Sequence, residues 1–232
     1  MLSHSLRLFL MTLVAVGLSS PLIGQPKPAL HPSSDKWPSL FNQKLNNANF
    51  PKGVWYLDEN GYLTATEDQT IWTHAEYENF VLDLEYKCGP AANSGVIIYA
   101  SDVNDWIPNS IEVQILDNHH KQWENAAPTW KNGGLFGHLA PAVDNVKPAG
   151  NWNRMTITAK GKKIQVIVNG AVTVDTDISA WTDAKKNPDG SEIPSWLNKP
   201  MALLPTKGRI GLQGKHGGAP IFFRYIRIQE LK

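Results

Sequence analysis

Cys88 is the only cysteine in 232 residues, which excludes an intramolecular disulfide. It closes a strand-like run at residues 80–88, and a catalytic thiol would need activating groups nearby, so a filler thiol is expected rather than a nucleophile. An excess of charge of either sign is also missing. The chain has 22 Lys and Arg against 21 Asp and Glu, which leaves no basic field of the kind that grips nucleic acid. Beyond residues 8–18 there is no long apolar run, and that one is too short for a comfortable membrane span. No internal repeat of fixed period is present. A phosphate loop, a dinucleotide fingerprint, H-E-x-x-H and C-x-x-C are absent as well. After the first 24 residues, no helix-period pattern of useful length appears.

What is abundant is Trp (9), Gly (18) and Pro (16), the composition of a turn-rich β protein with aromatic surfaces suited to flat ligands such as sugars. The apolar stretch 8–18 follows Arg7 and precedes Ser19, Ser20 and Gly24, the pattern of a signal peptide at 1–24 cut after Gly24. No cysteine lies near that cut to take a lipid, so the expected location is exported, periplasmic or extracellular. Residues 25–36 read as a Pro-rich linker. Residues 37–232 then suit one domain of about 200 residues, large enough for a substantial core.

About twelve short strands are legible in that domain. Asn60-Gly61 joins residues 54–57 to 62–66, and Asn169-Gly170 joins 164–168 to 171–174, both as hairpins. Further strands are read at 70–73, 79–88, 96–100, 111–117, 152–159, 209–213 and 220–229, with a short one at 133–138 between glycines. Residues 121–132 and 140–149 read as loops. Residues 179–207, with four prolines, read as a long loop containing one short helix. The fold class is all-β, a two-sheet jelly-roll sandwich.

Residues 93–117 are the most informative stretch. Ile111, Val113 and Ile115 alternate with Glu112 and Gln114, so an acid and an amide leave the same polar face of one strand. Asp117 follows at the strand end, with His119 and His120 directly after it. Solvent-facing strands carry Glu and Gln routinely, so this spacing by itself leaves a site and a plain surface both open.

Several blocks occur together in one order: N-S-G-V (93–96), I-E-V-Q-I-L-D (111–117), G-N-W-N (150–153), I-V-N-G (167–170), G-R-I-G-L-Q (208–213) and F-F-R-Y-I-R-I (222–228). S-L-F-N (39–42) and Y-E-N-F (77–80) accompany them. Together they resemble the 3-keto-disaccharide hydrolase domain family over about residues 37–232. That resemblance implies a concanavalin A-like jelly roll, secretion in bacteria, and action on glycosides already oxidised at sugar carbon 3. It also implies a pathway partner, a sugar 3-dehydrogenase that makes the keto sugar. Glycoside hydrolases of similar fold carry E-x-D-x-x-E on a cleft strand. Glu112, Gln114 and Asp117 occupy that spacing as E-x-Q-x-x-D, and the amide in the middle departs from an ordinary retaining pair.

The chemistry of such a substrate asks for different groups. A ketone at carbon 3 acidifies the hydrogen on carbon 2, and its removal lets the enolate expel the group on carbon 1. Re-addition of water makes the net reaction hydrolysis, and without it the enzyme is a lyase. The site needs a base, an enolate stabiliser and an acid for the leaving oxygen. Glu112 and His138 are the catalytic candidates, one as base and the other as acid. Asn93 and Gln114 are expected to bind hydroxyls or the ketone oxygen. Arg154, Arg224 or a divalent cation held by Glu112, Asp117 and His138 are the candidate enolate stabilisers. Asp117, Gln213, His216 and Trp123 complete the expected substrate-binding set, with Trp106 and Trp130 as further stacking candidates. The alternative from another class is a lectin-like carbohydrate-binding module without chemistry.

Overall fold

Apolar and polar residues alternate along runs such as 80–86 and 111–115, because strands half-covered by a core need it. The computed structural model describes residues 30–232, and the leader at 1–24 lies outside them. Its strands are β1 (Ala48–Asn49), β2 (Trp55–Leu57), β3 (Leu63–Ala65), β4 (Ile71–Tyr77), β5 (Phe80–Cys88) and β6 (Asn93–Ala100), then β7 (Ile111–Leu116), β8 (Trp152–Lys160), β9 (Lys163–Val168), β10 (Ala171–Asp177), β11 (Gly208–Leu212) and β12 (Ile221–Glu230). They form two antiparallel sheets, a β-sandwich. The five-stranded sheet has the order β1-β4-β11-β6-β7, and the seven-stranded sheet the order β10-β9-β8-β5-β12-β3-β2. The last two strands therefore lie inside sheets, β11 between β4 and β6, and β12 between β5 and β3. Both Asn-Gly hairpins form as read, β2 with β3 and β9 with β10.

The core lies between the sheets. Phe80, Leu82, Leu84 and Tyr86 of β5 meet Val96 and Ile98 of β6 and Ile111, Val113 and Ile115 of β7, all at most 3% exposed. Each such side chain contributes roughly 1.5–3 kcal/mol of burial. Cys88 joins this core, and burial, reinforced by the Asp117 charge, pushes its thiol up to about 12, far from a reactive thiolate.

Two segments differ from the sequence expectation. Residues 133–138 make turns joined by isolated bridges of Leu135 to Val113 and Leu139, not a strand. Gly133 and Gly137 adopt φ of +80° and +71°, which interrupts extended backbone. The long loop 179–207 holds two short 3₁₀ turns and is pinned by buried Ile193, Leu197, Met201 and Leu204. The Trp181 indole donates to Asn187 Oδ1 (2.9 Å) and steadies it further.

Part of the Pro-rich segment is docked on the outer face of the seven-stranded sheet. Buried Asp83 on β5 accepts from Ser34, from Thr156 Oγ1 (2.6 Å), and from Arg154 Nε (3.1 Å) and a terminal guanidinium nitrogen (2.7 Å). Arg154 also donates to the Pro32 carbonyl, and the Gly170 amide donates to His31 Nε2. Asp83 thus ties the N-terminal segment to β5 and β8. Asp83→Ala is expected to destabilise the domain by about 2–3 kcal/mol, less than a fully buried pair because the Arg154 side chain is one-third exposed. Urea denaturation with unchanged m would check this, and a loss below about 0.5 kcal/mol would contradict it.

Among the described residues, no helix is long and apolar enough to cross a membrane.

Candidate active-site cleft

The outer face of the five-stranded sheet carries the polar side chains. In the pairing of β6 with β7, Gly95 faces Gln114 and Ile97 faces Glu112. Glu112 therefore rises beside buried Ile97, and its carboxyl leans over Gly95. A Cβ on Gly95 would stand 2.7 Å from both Cγ and Cδ of Glu112. The missing side chain is the space that the acid occupies. Next to it, Gln114 Nε2 donates to Asn93 Oδ1 (3.1 Å), while Gln114 Oε1 is buried with no partner among the described residues. Gln213 follows β11, and its amide donates to the Gly95 carbonyl (2.9 Å).

Loops supply the walls. Trp106 and Ile107 come from the β6–β7 connection, Trp130 and Phe136 from the segment after β7, and Trp196 from the long loop. Together with Asn93, Glu112, Gln114, Gln213 and His216 they enclose about 330 Å³. Trp130 packs on Phe136 at 5.4 Å and on Trp196 at 6.3 Å between ring centroids. The loop that carries Trp130 is tied to the core by Asn132, which accepts from the Tyr86 hydroxyl (2.7 Å) and donates to the Leu116 carbonyl.

These walls set the electrostatics. No donor among the described residues satisfies the Glu112 carboxylate. Desolvation, with a smaller contribution from the Asp68 charge, raises its pKa to about 8. At neutral pH the group is predominantly a neutral acid, able to donate. His216, on the β11–β12 loop, lines the same hollow, and its Nδ1 meets Asp68 Oδ2 at 2.7 Å. A carboxylate there accepts, so Nδ1 carries a proton and Nε2 is the ring nitrogen outside that contact. Asp68 and His216 form an oriented carboxylate–imidazole pair.

Of the residues proposed from sequence, Glu112, Asn93, Gln114, Gln213 and His216 come together here, with Trp106 and Trp130 as walls. The others lie elsewhere. His138 does not line the cleft. Its Nδ1 bonds the Phe136 carbonyl (2.9 Å), Nε2 is buried and unpartnered, and burial lowers its pKa. Asp117 is buried and accepts from the Ala91 amide (3.0 Å), holding the turn before β6. The Trp123 indole donates to the Ala91 carbonyl, which anchors its loop. Arg154 and Arg224 lie on the outer face of the seven-stranded sheet, with the core between them and the cleft. Arg154 is held by Asp83, and Arg224 by Glu85 (2.6 Å) and by stacking on Trp152 (4.0 Å). Glu112, Asp117 and His138 do not converge as a cation set, and among the described residues no three His, Cys, Asp or Glu side chains are grouped to hold a metal ion. Asp68, Trp196 and Phe136 were not read as site residues. They are brought in by loops, where periodicity carries no signal.

Comparison with known proteins places this geometry in context. Residues 36–229 match the model of the 3-keto-alpha-glucoside-1,2-lyase-like domain. The chain is 26% identical over 180 residues to a 3-keto-disaccharide hydrolase of Bacteroides thetaiotaomicron, covering 69% of this chain and 61% of that protein, so it spans less than two-thirds of that relative's length. A solved structure of a candidate glycosyl hydrolase from Parabacteroides distasonis is 52% identical, with a TM-score of 0.82, covering 85% of this chain and all of that one. A carbohydrate-binding module of Bacillus subtilis superposes with a TM-score of 0.51 at 11% identity over 83% of this chain and 100% of its own, a likeness of fold alone.

Proposed function

Because the chain belongs to the 3-keto-alpha-glucoside-1,2-lyase-like domain family, we propose that its cleft cleaves glycosides already oxidised at sugar carbon 3. The observation that carries this reading is that Glu112 and the Asp68-bound His216 line one aromatic-walled hollow. Glu112 is a neutral carboxyl over Gly95, and His216 is an imidazole whose Nδ1 is committed to Asp68. In this scheme His216 Nε2 removes the proton from carbon 2. The electron pair moves onto the ketone oxygen, where the side-chain amide donors of Asn93, Gln114 and Gln213 stabilise the enolate. When the pair returns, carbon 1 and carbon 2 become doubly bonded and the carbon 1–oxygen bond breaks. The departing oxygen takes the Glu112 proton. Addition of water across the double bond returns the protons and completes hydrolysis. Elimination that stops before this step releases the unsaturated keto sugar. Trp106, Trp130 and Trp196 offer apolar faces to the sugar ring and keep bulk water away.

The leader at residues 1–24 extends the proposal to export, with a sugar 3-dehydrogenase supplying the substrate. The relative's name and the solved glycosyl hydrolase support the general class. The detailed steps rest on the cleft itself.

Turnover of a 3-keto-glycoside and its unoxidised parent tests the reading. Cleavage is expected for the keto form alone, slowed when carbon 2 carries deuterium. The acid role of Glu112 requires its proton, so kcat/KM on the keto form should fall as pH rises past about 8. Equal cleavage of both sugars would point to ordinary glycoside hydrolysis instead. Binding of both without cleavage would leave a carbohydrate-binding module.

A further inference from the structure

Beyond the Glu112 compartment the cleft continues. A second hollow of about 620 Å³ is lined by Phe50, Asp68, Thr70, Trp72, Val103 and Asn104 among others. It shares Trp106, Ile107, Gln213 and His216 with the first. The two are one groove along the outer face of the five-stranded sheet, with Trp106 at their junction. Trp106 is braced edge-on by Trp72, with ring centroids 6.1 Å apart at 63°. Trp72 in turn lies against β11, where a Cβ on Gly211 would come within 2.6 Å of its ring. Trp106 therefore stands on a loop but is braced by a side chain of the sheet.

Chemistry assigns a direction to this groove. Glu112 lines only the smaller hollow, Asp68 only the larger, and His216 both. The bond that breaks must lie within reach of Glu112 and His216 together, at the boundary. The smaller, aromatic-walled hollow then holds the keto ring, and the larger receives what leaves. With nearly twice the volume, it has room for about two rings where the first has room for one. Its lining is also more polar, with Asn49, Gln69, Thr70, Asn104 and Asp68 able to bond hydroxyls and Phe50 offering an apolar face.

We propose that the larger hollow is a leaving-group subsite for a saccharide of two rings, so that the favoured substrates are keto-oligosaccharides longer than a disaccharide. This rests on the reaction proposed above. Binding energy from the remote rings is expressed in the rate as well as in affinity. Wild-type kcat/KM for a 3-keto-trisaccharide oxidised on its non-reducing ring is expected to exceed that for the methyl 3-keto-glycoside by at least about tenfold.

The test compares those two substrates in wild type, Asn104→Trp, which fills the larger hollow, and Phe50→Ala, which strips its apolar face. Melting temperatures are measured in parallel to confirm folding. A wild-type ratio of about tenfold or more that collapses toward one in both variants supports the subsite. Equal rates on the two substrates in wild type, or a ratio that both folded variants retain, overturns the subsite and leaves the reaction standing. Failure of wild type to cleave either keto substrate overturns the reaction, and the subsite with it.

Discussion

Glu112→Gln should lower kcat/KM on a 3-keto-glycoside by about a thousandfold while raising the melting temperature in alkaline buffer. Both effects come from one feature, a carboxyl held in an aromatic-walled hollow with no donor among the described residues to receive its charge. The amide keeps the shape and the ability to donate a hydrogen bond, but has no proton to release to a departing oxygen. The stability effect follows from linkage. The folded state holds the Glu112 proton up to about pH 8, whereas an unfolded chain releases it near pH 4.3. Between those values the folded state binds more protons, so stability falls as pH rises through the window. Glutamine removes that dependence. The variant's advantage should be absent below pH 4, grow between pH 4 and 8, and level off above. Its size, discounted for the partial exposure of the side chain, is about 2–4 kcal/mol, and each kcal/mol moves the melting temperature by about 2–4 °C in a domain of this length. Paired thermal scans at pH 4 and pH 9 read it directly. A variant that melts with wild type at both, or retains a tenth of the activity, would remove Glu112 from the role given to it.

Gly95→Ala is expected to cost about a hundredfold in kcat with little loss of stability. The added methyl would overlap the Glu112 side chain, since the Cβ position lies 2.7 Å from Cγ and Cδ. Glycine is otherwise a poor strand residue, so alanine offsets part of any strain through lower backbone entropy in the unfolded chain. Its effect should therefore fall on the position of the acid. Melting temperatures measured in parallel separate this from general damage. A loss of kcat with a melting temperature close to wild type is the expected pattern. Wild-type kcat in Gly95→Ala would show that Glu112 works equally well from another position.

Local chemistry explains which parts of this molecule the sequence disclosed. Alternation at Ile111, Val113 and Ile115 identified both the core face of β7 and the opposite face that carries Glu112 and Gln114. Asn60-Gly61 and Asn169-Gly170 named their hairpins because few other residues tolerate those turns. Alternation does not say to which sheet a strand belongs. Arg154 and Arg224 were read as candidate enolate stabilisers, yet their strands belong to the seven-stranded sheet, and both side chains lie on the far side of the core. His216 was a candidate, but its partner Asp68 lies 148 residues away in a short turn, and only the paired strands bring them together. Trp196 is half-exposed in a loop whose path depends on the burial of Ile193 and Leu197, a tertiary fact without a periodic signature. The stretch 133–138 looked extended because its apolar residues sit between glycines, and those same glycines turn the chain.

The interior positions of β11 and β12 bear on how the molecule comes into being. Until residues 208–230 exist, β4 and β6 have no strand to join them, and β3 and β5 are in the same position. Neither sheet can close on a nascent chain still attached to the ribosome, so N-terminal-first folding during synthesis is not open to this topology. Both sheets can therefore be completed only once the tail has been made. The tail then closes the two sheets together, β11 in one and β12 in the other.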